Sequence, residues 1–453
     1  MSRIGMVCLG LSIALLGACS KTGGGSVNVS ELPKDGEVLK VVTRSGPTTY
    51  YVNRFDEPGG PEATLINHLA RDNNWTVQWE VVDSTAEVLE ALENNEAHMA
   101  AAGLTITKER NERLAPGGVY QVVQEQLVCH QKHKNFPRKP EEMVGHDIRV
   151  TAKSSYVDTL NRYKQELPGL QFTEEEDHTS EMLLAEVAED ISGCVVADSN
   201  IVTKTMRLFP DLRVGFSFPG KRQLGWYMPS ESTELAELTQ KWLTSQTGKQ
   251  ATKEMQDRHY AYIDDFDFVD MRALNENIEE RLPKYRDLFE QAEKETGIPA
   301  DLLAALAYQE SHWNPDAVSP TGVRGIMMLT QNTAQSLGVE DRTDPEEAIL
   351  AGARYLRDRY DRLPDTIPER DRWFQAMASY NIGRAHVLDV RSFAREMGKN
   401  PDSWADLREV LPLKADKRYY PKMRYGYARG YEPVMYVKRI RNYRDVIAMR
   451  FDE

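Results

Sequence analysis

The chain has 453 residues, of which 41% are hydrophobic and 28% charged, and its formal net charge is −14. This length predicts at least two domains with ordinary hydrophobic cores. The acidic balance argues against a nucleic-acid partner, because binding to phosphates requires a basic surface.

The N-terminus resembles a bacterial lipoprotein signal. The apolar run 4–16 is too short to span a bilayer and is typical of a signal-peptide core. Small residues then lead into Cys19. The resemblance implies a signal peptide over residues 1–18, a lipid on Cys19, and an outer-membrane anchor that leaves the protein facing the periplasm. An ordinary secretory signal with a coincidental cysteine is the alternative.

Two further cysteines, Cys129 and Cys194, remain in the mature chain. A periplasmic location permits a disulfide between them, and two buried thiols fit the sequence equally well. So few cysteines exclude a thiolate metal site or a disulfide-rich scaffold.

Residues 19–36 are rich in glycine and serine and predict a flexible tether. Strands and helices then alternate, which is typical of a mostly parallel sheet covered by helices. The predicted strands are 38–43, 76–82, 97–102, 147–151 and 193–197, and the predicted helices are 63–72, 85–94 and 180–189.

The run Thr-Ile-Thr-Lys-Glu-Arg at 105–110 follows a strand that ends in small residues. It resembles the solute-binding proteins that serve amino-acid transporters, and the resemblance covers residues 37–262. It implies a two-lobed α/β module in which Arg110 clamps a ligand carboxylate, Thr105 offers a hydroxyl and Asp198 holds an ammonium. A forked guanidinium suits a carboxylate. The implied effector is an amino acid or a wall-derived muropeptide. In the alternative interpretation, Arg110 is a solvated residue of a helix start and Asp198 is a helix N-cap.

Residues 263–275 form an acidic and aromatic linker, and the domain from 276 to 453 is predicted to be helical. One helix begins near Pro299 and carries an apolar run. Glu310 lies four residues after Leu306 and three after Ala307, and therefore on the apolar face of that helix. Burial there raises the pKa of a carboxyl toward the range of a general acid. A solvated glutamate at a helix end is the alternative.

Four short motifs accompany this helix: Glu-Ser at 310–311, Gly-Ile-Met-Met-Leu at 325–329, Ser-Tyr-Asn-Ile-Gly at 379–383 and Glu-Pro-Val-Met-Tyr-Val at 432–437. Their order and spacing resemble the lytic transglycosylases, whose catalytic domain is mainly α-helical and goose-lysozyme-like. With the lipoprotein signal and the solute-binding module, nearly the whole chain resembles the membrane-bound lytic murein transglycosylase F family.

The resemblance implies a peptidoglycan substrate and a role for each motif residue. Glu310 would protonate the bond between N-acetylmuramic acid and N-acetylglucosamine, then deprotonate the muramyl C6 hydroxyl to give a 1,6-anhydro ring. Ser311 and Tyr380 would support the site by hydrogen bonds, Met327 would line the sugar cleft, and Asn381 would be a polar contact. Core packing for Met327, a merely buried Tyr380 and a helix C-cap at 381–383 are the alternatives. Neither a metal nor a cofactor is expected.

Two rival functions follow from the same residues. A lysozyme-type hydrolase would need a second carboxylate to activate water, and a muropeptide-sensing binding protein would need no catalyst. The combined hypothesis is that ligand binding in the first module modulates cleavage by the second.

Residues 414–444 are basic and rich in tyrosine, with ten lysines or arginines, two acids and seven tyrosines. Such a stretch either binds sugar rings and peptide carboxylates or forms a tyrosine packing face beneath a solvated basic helix.

Overall fold

The computed structural model describes residues 29–52, 57–189, 193–262, 268–319 and 322–451. The predicted signal peptide, Cys19 and the first part of the tether lie outside the described residues, as does most of the first half of the linker. Within the described ranges, no helix is long and apolar enough to cross a membrane.

The first module consists of two lobes, each built on a five-stranded sheet. The strands are β1 (Val38–Arg44), β2 (Tyr51–Val52), β3 (Pro58–Gly59), β4 (Thr76–Val82), β5 (Met99–Thr105), β6 (Leu114–Val123), β7 (Glu125–His130), β8 (Asp147–Thr151), β9 (Thr173–Glu175), β10 (Gly193–Asp198), β11 (Leu212–Ser217) and β12 (Arg222–Pro229). The helices are α1 (Pro61–Asp72), α2 (Thr85–Glu93), α3 (Lys108–Asn111), α4 (Ser155–Glu166), α5 (Ser180–Glu189), α6 (Ser199–Leu208), α7 (Thr233–Thr244) and α8 (Gln246–His259).

The strand order is β4-β1-β5-β12-β6 in the first lobe and β11-β7-β10-β8-β9 in the second. Strands β4, β1 and β5 run parallel, as predicted, but β12 is antiparallel to β5 and β6, and β7 is antiparallel to β10 and β11. The prediction of a mostly parallel sheet is therefore only partly right. The chain passes between the lobes twice, from β6 to β7 and from β11 to β12. After the second passage β12 enters the first sheet antiparallel to β5. Hydrophobic periodicity predicts that a segment is a strand but not its direction in the sheet.

A disulfide joins Cys129 on β7 to Cys194 on β10, with 4.3 Å between the Cα atoms. The two residues face each other in the antiparallel register of these strands. Of the two alternatives left open by the sequence, the structure contains the disulfide.

The second domain is helical, as predicted. Its helices are α9 (Phe268–Glu280), α10 (Arg286–Thr296), α11 (Ala300–Ser311), α12 (Gln331–Ser336), α13 (Pro345–Asp361), α14 (Glu369–Ile382), α15 (Arg384–Glu396), α16 (Trp404–Val410) and α17 (Tyr431–Phe451). Helix α9 begins inside the predicted linker 263–275, so the second half of that segment is helical. Asp344 caps α13 by accepting from the Glu347 amide, and Pro345 occupies the first helical position.

Helix α11 lies at the centre of the second domain, and every residue from Ala300 to Tyr308 is buried. It packs against α17, which also packs against α14. One hydrophobic core joins these helices. The end of α11 contacts the segment 325–329 through Ser311 and helix α17 through Glu310.

The same helix α17 contacts the first module. Arg207 of α6 forms an ion pair of 2.9 Å with Asp445 and donates to the Asn442 carbonyl at 2.7 Å. Tyr262 donates its hydroxyl to Asp445, and its carbonyl accepts from the Asn442 amide group at 2.7 Å. The two domains are therefore joined by directed polar contacts as well as by the covalent linker.

Candidate active site and ligand pocket

Glu310 occupies the last turn of α11, immediately after the buried stretch of that helix. Its Oε1 accepts a hydrogen bond from the Tyr436 hydroxyl of α17. The side chain is partly buried, so part of it remains accessible to a substrate. Burial raises the pKa of Glu310 to about 7, against the opposing effect of the Tyr436 hydrogen bond. Near neutral pH this carboxyl is therefore able to hold and release a proton.

No charged group in the described part of the chain perturbs the pKa of Glu310; burial and Tyr436 account for its shift. Burial and the nearby Glu310 keep the pKa of Tyr436 well above its ordinary value, so its hydroxyl stays protonated and remains a donor. The site thus contains one carboxyl group with a neutral hydrogen-bond partner.

The segment 325–329 is held beside Glu310 through its backbone carbonyls. Ser311 donates its hydroxyl to the Ile326 carbonyl at 2.8 Å, and Tyr380 donates to the Met327 carbonyl at 2.9 Å. Arg342 donates to the Leu329 carbonyl at 2.9 Å. The predicted motifs at 310–311, 325–329 and 379–383 therefore meet, because Ser311 of the first and Tyr380 of the third bind backbone carbonyls of the second.

This backbone path explains the glycine that begins the segment. Gly325 has φ of 90°, and a Cβ there would lie 1.8 Å from the Arg342 carbonyl oxygen. Met328 also adopts a positive φ of 47°. Such conformations are uncommon for residues with a side chain, and they flank the two carbonyls that accept from Ser311 and Tyr380.

The Met327 side chain does not line a cleft, which corrects the expectation from the sequence. It is fully buried and packs against Gly352, where even one added carbon would lie 2.5 Å from its terminal methyl. An unbranched methionine fills this gap in the core. Met327 contributes to the site through its carbonyl, while its side chain takes the packing role that was the alternative.

Tyr380 and Asn381 lie in the last turn of α14, where the Tyr380 hydroxyl binds the Met327 carbonyl. Burial, with the charge of Glu310, raises the pKa of Tyr380 well above its ordinary value, so the phenol stays protonated. Asn381 is exposed on the last turn. Gly383 caps the helix with φ of 91° and donates its amide to the Ser379 carbonyl. The segment 381–383 is thus a helix end, and it also presents a polar side chain at the surface.

The residues predicted for ligand binding in the first module meet in one pocket between the lobes. Thr105, Arg110 and Asp198 line it together with Arg44 and Tyr156. The space that remains is about 30 Å³, enough for about one water molecule. A ligand as large as an amino acid therefore requires the lobes to separate.

Arg110 and Asp198 differ from their alternative interpretations. Arg110 is buried and donates to the Thr105 carbonyl in its own lobe and to the Lys153 carbonyl in the other, both at 2.8 Å. Asp198 precedes α6 but makes no side-chain cap, and its Oδ1 has no hydrogen-bond partner. Burial, assisted by the nearby Glu125, raises the pKa of Asp198 to about 7. A buried carboxyl with an unpartnered oxygen is suited to a cationic ligand group.

The resemblance to an amino-acid pocket is incomplete at α1. Glu62 in the first turn of α1 is fully buried. It accepts from the Gly103 amide at 2.8 Å, from the Tyr120 hydroxyl at 2.5 Å and from the Trp226 indole at 2.9 Å. Glu62 therefore holds the first lobe together and does not line the pocket.

Metal binding finds no support in the described ranges, where no group of three or more histidine, cysteine, aspartate or glutamate side chains is suitably placed.

Two family models match the chain. The transglycosylase SLT domain matches residues 287–402, and the bacterial extracellular solute-binding proteins, family 3, match residues 39–262. The membrane-bound lytic murein transglycosylase F 2 of Alkalilimnicola ehrlichii is 50% identical over 440 residues, 97% of each chain. The chain belongs to the membrane-bound lytic murein transglycosylase F family. The family member of Maricaulis maris is 41% identical over 410 residues, 90% of each chain.

Among solved structures, an ancestral arginine-binding protein bound to arginine covers 49% of this chain and 98% of its own, with 17% identity and a TM-score of 0.45. The family assignment confirms the predicted fold class, a two-lobed α/β solute-binding module followed by a helical transglycosylase domain.

In this transglycosylase F family member, Tyr436 is a residue of the candidate active site that the sequence did not identify. Its segment was recognised as a motif, but no property of the sequence showed that this phenol reaches Glu310. Arg44 was also missed in the ligand pocket. It lies at the end of β1, where the edge of a parallel sheet commonly binds ligands, and that position was the available signal.

Proposed function

We propose that the chain cleaves the β-1,4 bond between N-acetylmuramic acid and N-acetylglucosamine of peptidoglycan without water, leaving 1,6-anhydro ends. The supporting observation is that Glu310, at the end of the buried helix α11, is bound by the neutral hydroxyl of Tyr436. A hydrolase of the lysozyme type uses a second carboxylate about 5–9.5 Å from the first, whereas burial and Tyr436 are the causes of the pKa shift of Glu310 among the described residues.

The two steps need only one carboxyl group. Protonated Glu310 gives its proton to the glycosidic oxygen, and the bond to the muramyl C1 breaks as the leaving sugar departs. The ionised carboxylate then removes the proton of the C6 hydroxyl, whose oxygen attacks C1 and closes the ring. Because the nucleophile belongs to the substrate, proximity replaces the activation of water.

Tyr436, Ser311 and Tyr380 position this carboxyl group. Tyr436 stabilises the ionised form that appears after the first proton transfer. Ser311 and Tyr380 fix the carbonyls of 326 and 327 beside it. Asn381, exposed on the adjacent turn, is assigned as a polar contact to the sugar.

Mass spectrometry of digested murein tests the reaction and the catalyst together. The wild-type chain should release fragments that are one water lighter than those of a hydrolase, and Glu310→Gln should release none. Glu340→Gln, at an exposed position, is the matched control. Reducing muramic acid ends would support the hydrolase, and binding of murein without any release would support the sensing protein.

The first module is proposed as a regulatory domain over residues 37–262 that takes a muropeptide or amino acid between its lobes. Arg110 would bind a carboxylate, Thr105 would donate or accept a hydrogen bond, and Asp198 would hold an ammonium. Calorimetric titration with muropeptides and with free amino acids tests this assignment. Arg110→Ala should remove binding, whereas Arg113→Ala should not, because Arg113 is an exposed residue paired with Glu93.

Ligand binding is proposed to modulate cleavage through α17. That helix carries Tyr436, which contacts Glu310, and Asn442 and Asp445, which contact the module. Along the helix, Asn442 lies six residues, or about 9 Å, from Tyr436, and Asp445 lies nine residues, or about 14 Å, from Tyr436. Opening of the lobes would therefore move α17, and with it the Tyr436 hydroxyl that binds Glu310.

We also propose that the mature protein begins at Cys19, carries lipid there and is anchored to the outer membrane facing the periplasm, with residues 19–36 as tether. The signal-like sequence and the membrane-bound relatives support this location. Labelling of cells with a radioactive fatty acid should mark the wild type and leave Cys19→Ala unlabelled. Label on both chains, or on neither, would contradict the anchor.

A further inference from the structure

A large cavity lies between the two domains, at the opposite end of α11 from Glu310. Its volume is about 960 Å³, and helices α6 and α8 of the first module and α14 and α17 of the second domain form its walls. Leu302 in the first turn of α11 also lines it, eight residues or about 12 Å of helix before Glu310. The described residues that line it include neither Glu310 nor any residue of the pocket between the lobes.

Basic side chains outnumber acidic ones on the walls of this cavity. Four acidic and six basic residues line it, and the basic ones are Lys204, Arg207, Arg258, Arg370, Arg441 and Arg444. Arg441 and Arg444 belong to the basic stretch 414–444, so part of that stretch faces the first module. An excess of positive charge in a concave space attracts anions.

Three of these basic side chains already have partners within the protein. Arg207 and Arg444 form ion pairs with aspartates at 2.9 and 2.7 Å. The Arg441 guanidinium lies 3.9 Å from the centroid of the Tyr262 ring and donates to the backbone carbonyls of residues 257 and 258. These contacts join the two domains and leave the three cations little need of a ligand.

The other three basic side chains lack a close anionic partner. Lys204 and Arg258 form no side-chain hydrogen bond or ion pair with another described residue. Arg370 lies 3.7 Å from Glu254 and 3.6 Å from Asp371, and its Nε and Nη1 have no hydrogen-bond partner among the described residues. Desolvation lowers the pKa of Lys204 to about 8 and, with the charge of Arg370, lowers that of Arg258. Desolvated charges without partners destabilise a protein unless an ion of opposite charge binds them.

Much of the remaining wall is apolar and aromatic. Phe209 follows α6, Trp373 and Phe374 lie on α14, and Met449 lies on α17. Sites for small molecules commonly combine such walls with a few polar groups that orient the ligand, in volumes of about 300–1,000 Å³. Guanidinium groups bind carboxylates and phosphates through two parallel hydrogen bonds. The cavity therefore suits an organic anion.

We propose that this cavity binds a small organic molecule with two or more carboxylate or phosphate groups, which bridges Arg258 of the first module and Arg370 of the second domain. Lys204 supplies a third positive charge at the same site. The bound anion replaces the missing partners of these side chains and holds the two domains together at α8 and α14. This site goes beyond the proposed function, because it uses neither Glu310 nor the pocket between the lobes.

Isothermal titration calorimetry of the full chain at constant ionic strength tests binding with two probes, benzene-1,3,5-tricarboxylate and pyrophosphate. At least one probe should bind with a Kd below about 1 mM. Arg258→Gln and Arg370→Gln should each weaken that binding about tenfold or more, because each domain supplies one guanidinium. The combined Arg138→Gln and Lys139→Gln variant is the control. It removes two positive charges from an exposed segment of the second lobe and should stay within about twofold of the wild type.

Thermal unfolding separates loss of the site from loss of the fold. Without a probe, Arg258→Gln should unfold at the wild-type temperature or above it, because the change removes a charge that Arg370 repels. A saturating probe should raise the unfolding temperature of the wild type and raise that of Arg258→Gln less.

The outcomes that would overturn the proposal are distinct. Binding of neither probe to the wild type would do so, as would binding that the control variant weakens as much as Arg258→Gln does. Loss of binding in only one of Arg258→Gln and Arg370→Gln would contradict a ligand that bridges the domains. Tighter binding of the tricarboxylate would support a carboxylate ligand, and tighter binding of pyrophosphate would support a phosphate ligand.

Discussion

The hydroxyl of Tyr436 donates to Oε1 of Glu310 across 126 residues of sequence. The two residues lie on α17 and α11, the helices packed together at the centre of the catalytic domain. Because this hydrogen bond lowers the pKa of Glu310, the ionisation of that carboxyl depends on the position of α17.

Tyr436→Phe should shift the pH dependence of cleavage. The hydrogen bond lowers the pKa of Glu310 against the effect of burial, so its loss should raise that pKa further above 7. In the proposed reaction cleavage needs protonated Glu310, and the decline of kcat/KM at alkaline pH should therefore move to higher pH. The maximal rate should fall about tenfold or more, because the ionised form loses a stabilising donor.

The profile of kcat/KM between pH 5 and 9 is the measurement. Tyr163→Phe, in the second lobe of the binding module, should reproduce the wild-type profile. An alkaline limb that stays in place or moves to lower pH would show that Tyr436 does not act on Glu310.

Glu310→Gln should stabilise the protein at alkaline pH. The folded pKa of about 7 exceeds the ordinary value of 4.5, so folding disfavours the ionised form. Below about pH 4.5 the carboxyl is protonated in both the folded and the unfolded chain, and it has no effect on the free energy of unfolding. Between pH 4.5 and 7 the destabilisation grows, and above pH 7 it is complete.

A partly buried group with this shift should contribute on the order of 1–3 kcal/mol. Thermal unfolding of the variant and the wild type at pH 4 and pH 8 checks the prediction. The variant should melt higher at pH 8 and together with the wild type at pH 4. A constant difference at both values would mean that the gain is not due to ionisation.

The secondary structure of the first module was largely predictable from hydrophobic patterns. The elements β4, β8 and α5 have the predicted bounds of 76–82, 147–151 and 180–189. The direction of the strands was not predictable in this way. The directions of β7 and β12 depend on where the chain crosses between the lobes. Alternating apolar residues indicate a strand without indicating its neighbours.

At the candidate site the sequence predicted residues that the structure brings together, but not all of the contacts that they make. The position of Glu310 on the apolar face of a helix correctly predicts a carboxyl with a raised pKa. The role of Met327 was missed because its carbonyl, not its side chain, faces Tyr380. A carbonyl direction follows from backbone torsions such as the positive φ of Met328, which residue type alone does not reveal.

Reduction of the Cys129–Cys194 disulfide should destabilise the binding module selectively. The bond closes a loop of 65 residues. By restricting the unfolded chain, such a cross-link raises the free energy of unfolding by about 2–4 kcal/mol. Thermal unfolding with and without a thiol reductant should show a lower transition for this module. The combined Cys129→Ala and Cys194→Ala variant should be insensitive to reductant, and a wild-type transition that ignores reductant would contradict the prediction.

Asp445→Asn should uncouple the two domains while cleavage without effector continues. Asp445 pairs with Arg207, whose side chain is only 3% exposed, and accepts from Tyr262. The neutral amide keeps the size of the side chain but leaves Arg207 without its charge partner, which weakens the contact by about 1–3 kcal/mol. Movement of the lobes should then no longer reach α17 and the Tyr436 that contacts Glu310.

The measurement is the ratio of cleavage rates with and without saturating muropeptide. In the wild type this ratio should differ from one, and in Asp445→Asn it should approach one. Glu279→Gln is the matched control, because it breaks the exposed ion pair with Arg450 on the same helix α17 and leaves the module contact intact. An Asp445→Asn chain that still binds muropeptide and responds fully would show that the signal does not pass through this pair. A wild-type ratio of one would instead show that the module does not regulate cleavage at all.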